Sequence, residues 1–292
     1  MYQAKLAMNI GEQFSLPLEE QIALLKQIGF EGFFAGWRPG YDIKALRKAA
    51  DREGMVFQSI HSNHLLMADM WEKTEKTEEA VSQLMACLHD CGENDVKIMI
   101  THPIIGFDKH TPTALGLHNF EKVIREAEKC GVKIAFENLE GEEYLAEVMN
   151  QFKGHPLVGF CWDTGHEMCY NHHQDMLSLY GDRILCTHLN DNLGIRDYEG
   201  NIRWQDDLHL LPFDGIGDWA EMMERLEKTG YDDFLTFELK LSPMPGRHEN
   251  DIYARMAPVD YFSQAYMRAC RVATLKIRAR AHALQAKKTM LY

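Results

Sequence analysis

Short apolar or β-branched runs alternate with amphipathic stretches along this chain, in a pattern that predicts eight strands with helices between them. The strand-like runs are Lys5–Ile10, Gly32–Trp37, Met55–His61, Val96–Thr101, Val132–Glu137, Val158–Asp163, Ile184–Leu189 and Phe234–Leu239. Apolar residues at helical spacing fill Leu18–Ile28, Asp42–Glu53, Thr77–Asp90, Leu117–Cys130, Glu142–Phe152, Gln174–Tyr180 and Asp218–Thr229. A glycine stops many of these helices just before the next strand, as at Gly29, Gly54, Gly131 and Gly230. Strands joined through helices pair in parallel with right-handed crossovers, so eight such units predict an α/β chain closed into a (β/α)8 barrel. An open dinucleotide-binding sheet is the architectural alternative. It lacks its signature here, because no GxGxxG follows the first strand and no GxxxxGK[ST] occurs anywhere.

The barrel is expected to take the whole chain, residues 1–292, as one domain, with a helical extension over about 250–292. Apolar spacing through Tyr261, Ala265, Met267, Val272 and Leu275 marks the packed side of that extension, and the basic stretch Lys276 to Lys288 reads as a solvated face or a contact between subunits. A homo-oligomer joined through these C-terminal helices is the corresponding expectation.

Chemistry in such a barrel sits where the strands end and the loops to the helices begin. Those positions are rich in histidine and carboxylate: His61 closes strand three, His102 follows strand four, and Glu137, Asp163, His188 and Glu238 close or follow strands five to eight. Three carboxylates and an imidazole brought to one mouth suit a divalent cation such as Mn, Mg, Co or Zn, since carboxylates crowded together repel unless a cation lies between them. His166 lies three residues past Asp163 and can fold back toward the mouth. The loop from Asn190 to about Gly217 is far longer than usual and carries Asp207 and His209, which alternate across a leucine and can face one side. Taken singly, each of these residues is as well explained as a salt-bridge partner, a helix cap or a hydrogen-bonded core residue.

The motifs FEN at Glu137, WDTGH from Trp162, HLND from His188, DLHLLPFDGIGDW from Asp207 and FELK at Glu238 resemble, in this order and over nearly the full chain, the xylose isomerase-like TIM barrel superfamily. That superfamily contains sugar isomerases, epimerases and dehydratases together with the endonuclease IV group. The resemblance implies that Glu137, Asp163, His188 and Glu238 hold one divalent metal and that His166 contacts substrate oxygens. It further implies a metal-dependent isomerase or epimerase for a sugar or polyol ketone, in which a proton leaves the carbon beside a carbonyl to give a metal-stabilised enediolate. Glu137 and Glu238 would be the proton carriers. A dehydratase starts from the same step and remains an alternative.

The nuclease branch uses three zinc ions, and His61, His102, His166, Asp207 and His209 stand where its additional ligands would be; in a sugar enzyme the same five residues would bind substrate or a further metal. Composition weighs against the nuclease. Lys and Arg number 31 against 44 Asp and Glu, a net charge of -13 and a pI near 5.5, which disfavours a phosphate backbone or an anionic membrane. A barrel that binds metal or sugar without turnover is the third alternative.

Among residues for the substrate, Trp37 can stack on a carbon skeleton, as can Trp71 and Trp204. Arg196 is assigned to the place where related epimerases carry an arginine, and Arg203, Lys240 and Arg247 are further cations for a phosphate or carboxylate. No glycine-rich phosphate cradle follows strands seven and eight, which favours an unphosphorylated ligand. Seven scattered cysteines without a CxxC pair predict reduced thiols and a cytoplasmic setting, with Cys161, Cys169 and Cys186 as small buried residues. Neither a signal peptide nor a membrane span is expected.

Overall fold

Each apolar run forms a strand in the computed structural model of the chain, which describes residues 4–107 and 111–289. The strands are β1 (Leu6–Ile10), β2 (Gly32–Gly36), β3 (Val56–His61), β4 (Ile98–Thr101), β5 (Lys133–Glu137), β6 (Val158–Asp163), β7 (Ile184–His188) and β8 (Leu235–Phe237). The helices are α1 (Leu18–Ile28), α2 (Ile43–Glu53), α3 (Thr77–Glu93), α4 (Ala114–Cys130), α5 (Glu142–Gln151), α6 (Thr164–Cys169), α7 (Met176–Tyr180), α8 (Trp219–Lys228) and α9 (Pro258–Thr289). The sheet runs β7-β6-β5-β4-β3-β2-β1-β8, with every pair parallel. Its two ends meet through a parallel bridge between Leu189 and Phe237, so the sheet is a nearly closed barrel with helices outside. At the seam the Thr187 hydroxyl accepts the Thr236 N–H at 3.1 Å, taking the place of a strand carbonyl.

Two hydrophobic layers set the height of the mouth. Strand residues that point outward, such as Met99, Ile134, Phe136 and Phe160, pack under the helices in the main core. Ile98, Ile100, Ala135, Cys161 and Cys186 form a separate cluster. Side chains two positions apart share a face of a strand. Glu137 therefore stands one step above Ala135, Asp163 above Cys161 and His188 above Cys186, and the small residues beneath leave the floor level. The three thiols singled out in the sequence are buried and free.

α9 differs from expectation in its rotation about its own axis. Tyr261, Ala265 and Val272 are buried as the spacing predicts, together with Phe262, Ala269 and Ala273, but Met267 is 55% exposed and Leu275 only half-buried. Lys276, expected on a solvated face, is wholly buried and pairs with Glu227 of α8. α9 also supports the loop after β7: Arg268 donates to the Pro212 carbonyl at 3.0 Å, and the Arg271 guanidinium lies 3.8 Å from the centre of the Phe213 ring. The final positions of the predicted extension, 290–292, lie outside the described residues. No helix among the described residues is long and apolar enough to cross a membrane.

Candidate functional site

Glu137, at the end of β5, is the centre of the floor and is completely buried. One of its oxygens, Oε1, lies 2.6 Å from Nδ1 of His188; the other, Oε2, lies 3.0 Å from Nε2 of His61 and 3.1 Å from Nε2 of His102. Nδ1 of His188 is also 2.9 Å from Oε2 of Glu238, so the two glutamates flank one imidazole nitrogen. Ligand atoms of Glu137, Asp163, His188 and Glu238 lie within 4.8 Å of one another, as do those of His61, His102 and Glu137, and those of His166, Asp207 and His209. The fold thus joins all nine histidines and carboxylates predicted for the mouth into three adjoining clusters, with Glu137 shared by two of them.

The orientation of the imidazoles suits cation binding. His61 donates Nδ1–H to the Ser62 carbonyl at 2.8 Å, His166 donates Nδ1–H to Asn138 at 2.8 Å, and His209 does so to Glu238 at 3.2 Å. A ring whose Nδ1 proton is held by a backbone carbonyl turns Nε2 toward the cleft, where it can bind a cation once any second proton has left, the arrangement usual around metal-ligating histidines. Oδ1 of Asp207 is buried without a hydrogen-bond partner and lies 3.5 Å from Nε2 of His166. This donor set, hard carboxylates with imidazoles, fits a hard or borderline divalent ion.

Charge in the floor is finely divided. Burial disfavours the Glu137 carboxylate, yet the neighbouring His188, His102 and His61 hold it well below the ordinary range. Glu238 is likewise held down to about 2 against the cost of burial, chiefly by His188. Asp163 goes the other way, pushed up to about 6 by burial. Burial lowers His64 to about 3, helped by His102 and His61. For His209, burial opposes the charged form but Asp207 raises it to about 9.

Supporting residues that spacing does not reveal are amides and aromatic rings. Asn138 brackets Asp163, accepting its N–H and donating to its carbonyl, both at 2.8 Å. Asn190 donates to Oδ2 of Asp163 at 2.9 Å, while Oδ1 takes the N–H of His166 at 2.7 Å and so starts α6. Gly165 makes this fit, because a Cβ there would sit 1.9 Å from the Asn190 amide oxygen. Phe34 stacks on His188 with ring centres 4.5 Å apart. The FEN and HLND motifs contain both amides, but nothing in their spacing distinguishes a positioning residue from a solvated one.

The long loop after β7 is folded back on itself. Asp191, fully buried, accepts N–H groups from Phe213 at 2.8 Å, Gly217 at 3.0 Å and the Trp219 indole at 2.9 Å, and its backbone pairs with Leu210. Gly215 passes so close that a Cβ would come 2.2 Å from both Asp191 Oδ1 and the Asn192 carbonyl. These bonds carry Asp207 and His209 to the floor. Replacing Asp191 by Ala removes the shared acceptor of three donors, of which the Trp219 indole is buried and the Phe213 and Gly217 N–H groups are partly buried; we expect a loss of about 3 kcal/mol in denaturant-unfolding stability. Faster amide exchange at Phe213 and Gly217 should accompany it.

Above the floor opens a cleft of about 820 Å³, lined among others by His61, His64, His102, His166, Asp207, His209, Glu238, Trp37 and Lys240. Arg196 is not part of it. It lines a separate depression with Leu193, Gly194, Gly246, Arg247, His248 and Glu249, because the Asp191 anchor turns that part of the loop away from the mouth. Arg203 is exposed and pairs with Asp197, and Arg247 is buried on Asp206 and Glu249. Of the four cations considered from sequence, only Lys240 reaches the cleft. Trp37 lines it and donates its indole N–H to Asp90 at 2.6 Å, whereas Trp71 is buried against the Pro103 carbonyl.

The sequence profile of the xylose isomerase-like TIM barrel family matches residues 17–257. The chain belongs to this family. Among solved structures, the family barrel is similar to a xylose isomerase domain protein from Planctomyces limnophilus, with a TM-score of 0.74 and 13% identity over 96% of this chain and 99% of that one. It is also similar to an L-ribulose 3-epimerase, with a TM-score of 0.71 and 15% identity over 97% and 98% of the two chains. The IolI protein, whose structure carries a zinc atom, matches with a TM-score of 0.71 and 16% identity over 92% and 98%. A curated relative, the uncharacterized protein y4fM of Sinorhizobium fredii, is 31% identical over 168 residues, which is 56% of this chain. The match spans about half of that relative's length, 48%.

Proposed function

We propose that this xylose isomerase-like barrel is a divalent-metal-dependent isomerase or epimerase for a sugar or polyol ketone. The observation that carries the reading is the placement of Glu137 and Glu238 on either side of Nδ1 of His188, with Asp163 closing the same four-residue cluster. Glu137, Asp163, His188 and Glu238 would hold the cation, which supplies positive charge next to the substrate carbonyl and so favours loss of a proton from the adjoining carbon.

The two glutamates are not equivalent. Glu137 is enclosed by three imidazoles and absent from the lining, whereas Glu238 lines the cleft with its side chain 23% exposed. Glu238 is therefore the group placed to take the proton, and His188 keeps its carboxylate ionised in the resting site. Glu137 anchors the floor. Return of the proton by Glu238 to a neighbouring carbon gives isomerisation, whereas epimerisation requires a second group that gives a proton to the opposite face of the carbon. The test is solvent exchange: metal-loaded protein should incorporate deuterium beside the carbonyl of keto sugars or inosose-like ketones, followed by NMR. Absence of exchange across such a panel, with incision of abasic DNA instead, would overturn the reading.

The His61, His102 and His166, Asp207, His209 clusters support a second reading as a three-zinc nuclease, since they nearly fill the ligand list that the resemblance implies for that branch. The cleft argues against it. Among the described residues its Lys and Arg are Lys240 and Arg38, and Arg38 is paired with Glu12, so the described lining offers a phosphate backbone little free positive charge. We therefore place the extra clusters in a sugar enzyme, as sites for substrate oxygens or further cations. A cytoplasmic setting and pairing through α9 remain part of this proposal.

A further inference from the structure

The segment that carries Glu238 keeps the form of a strand past the end of its backbone ladder. Pairing between β1 and β8 runs from Leu6 with Leu235 to Met8 with Phe237 and stops there. Glu238 and Lys240 nevertheless line the cleft while Leu239 and Leu241 are buried in the main core, the alternation of an extended strand. Side-chain amides take the place of the backbone partners. Asn9, near the mouth end of β1, accepts the Leu239 N–H at 2.9 Å and donates to the Leu239 carbonyl at 3.0 Å, so one amide supplies both the acceptor and the donor of a neighbouring strand. Gln13 repeats this one step further along, donating to the Leu239 carbonyl at 3.0 Å and accepting the Leu241 N–H at 2.8 Å. The loop that carries Gln13 is fixed in turn by Gln21 of α1, wholly buried, which accepts the Gly11 N–H at 3.0 Å and donates to the Gly11 and Leu16 carbonyls at 2.9 and 2.7 Å. On the other side, the Leu189 carbonyl accepts the Glu238 N–H at 3.3 Å and the His209 carbonyl accepts the Lys240 N–H at 3.1 Å.

Resting on the reading above, we propose that Asn9 and Gln13 are positioning residues for Glu238, which hold its backbone so that the carboxylate stands ready as metal ligand and proton carrier. The need arises because β8, at three residues, is the shortest strand of the barrel, and Glu238 lies just beyond it. The peptide that follows Glu238 is held on both edges, its carbonyl by the His209 imidazole and its N–H by Asn9. The peptide before it is held through the N–H on Leu189. With both flanking peptides fixed, the side chain reaches Nδ1 of His188 from a strand-like base and without the freedom of a loop. Only an amide can do this from β1: a carboxylate has no donor for the Leu239 carbonyl, and a hydrocarbon has neither donor nor acceptor. Asn9 also lines the cleft, whereas Gln13 is half-buried outside that lining, so Gln13 separates an effect through Glu238 from a direct contact with substrate.

The test uses Asn9→Leu, Gln13→Ala and Glu238→Ala, singly and combined, with two readouts besides turnover. Amide exchange in the metal-free protein should be at least about tenfold faster at Leu239 in Asn9→Leu and at Leu241 in Gln13→Ala. It should be unchanged at Leu235, whose N–H donates to the Lys5 carbonyl. Affinity for Mn, measured by calorimetry, should fall about 10–100-fold in Asn9→Leu, the effect usual for a residue that orients a metal ligand, and about three- to tenfold in Gln13→Ala. Added to Glu238→Ala, either change should cost less than about threefold more, because the ligand it positions is already gone. With saturating Mn and a keto sugar that turns over, Gln13→Ala should lower kcat about tenfold and leave KM within about twofold. Exchange at the wild-type rate at both leucines, or equal losses of Mn affinity with and without the Glu238 carboxylate, would overturn the proposal. If Asn9→Leu does not fold, Gln13→Ala decides by the same criteria. If the wild type takes up no ion, the metal-centre reading fails, and amide exchange alone decides whether the two amides hold the Glu238 segment.

Discussion

Replacing Glu238 by Gln is expected to slow deuterium exchange beside the substrate carbonyl by about 10²–10⁴-fold, the usual contribution of a positioned general base. Gln keeps the shape of the side chain and one oxygen, so the cation is weakened but not lost, and KM should rise far less than kcat falls. The same change at Glu137 should act differently. Its two oxygens face His188 on one side and His61 with His102 on the other. An amide nitrogen cannot accept from an imidazole N–H, and a buried counter-charge would be removed from three rings at once. Glu137→Gln should therefore lose bound metal as well as turnover, seen as a lower ion count in the purified protein. Equal metal content in the two variants, or exchange near the wild-type rate in Glu238→Gln, would refute the division of labour between them.

The strand ends were readable in the sequence because a single rule applies there: an apolar run fixes the height, and the first polar residue after it enters the mouth. That rule places Glu137, Asp163 and His188 without reference to anything distant. It fails where a position depends on the path of a loop. Arg196 follows His188 by eight residues, but Asp191 gathers the N–H groups of Phe213 and Gly217 and turns the chain, so Arg196 reaches another depression while Asp207 and His209 return to the floor. Helix phase is a second limit. The spacing in α9 identifies an apolar side, but exposed Met267 and buried Lys276 show that the side is set by the surface of α8, where Glu227 provides a partner. Asn138 and Asn190 mark a third, since an amide acquires its role only from the carboxylate it holds.

Stripping divalent ions with a chelator should abolish exchange while leaving the barrel folded, and Mn, Co or Zn added back should restore it. The expectation follows from how the site and the core are divided. The main core and the cluster beneath the floor contain no residue of the proposed ligand set, so the layers that hold the strands together survive without the ion. The floor itself changes character. Without a cation, Glu137 and Glu238 depend on His188 for counter-charge; burial disfavours the charged imidazole, but the same two glutamates outweigh it and raise its affinity for a proton well above the ordinary range. A protonated His188 offers no lone pair to an ion and holds both glutamates in place, which makes the metal-free site inert rather than weakly active. Binding an ion must expel this proton. Loaded at a hundredfold excess over Kd, the ion should add about 2.7 kcal/mol to stability, several degrees in Tm for a chain of this length. Asp207→Asn provides the control within the same molecule: Asp207 pairs with His166 and His209 and is not one of the four-residue cluster. If one ion in the four-residue cluster suffices, this variant should keep the chelator-sensitive rise in Tm, and loss of that rise would show that the clusters fill as a unit.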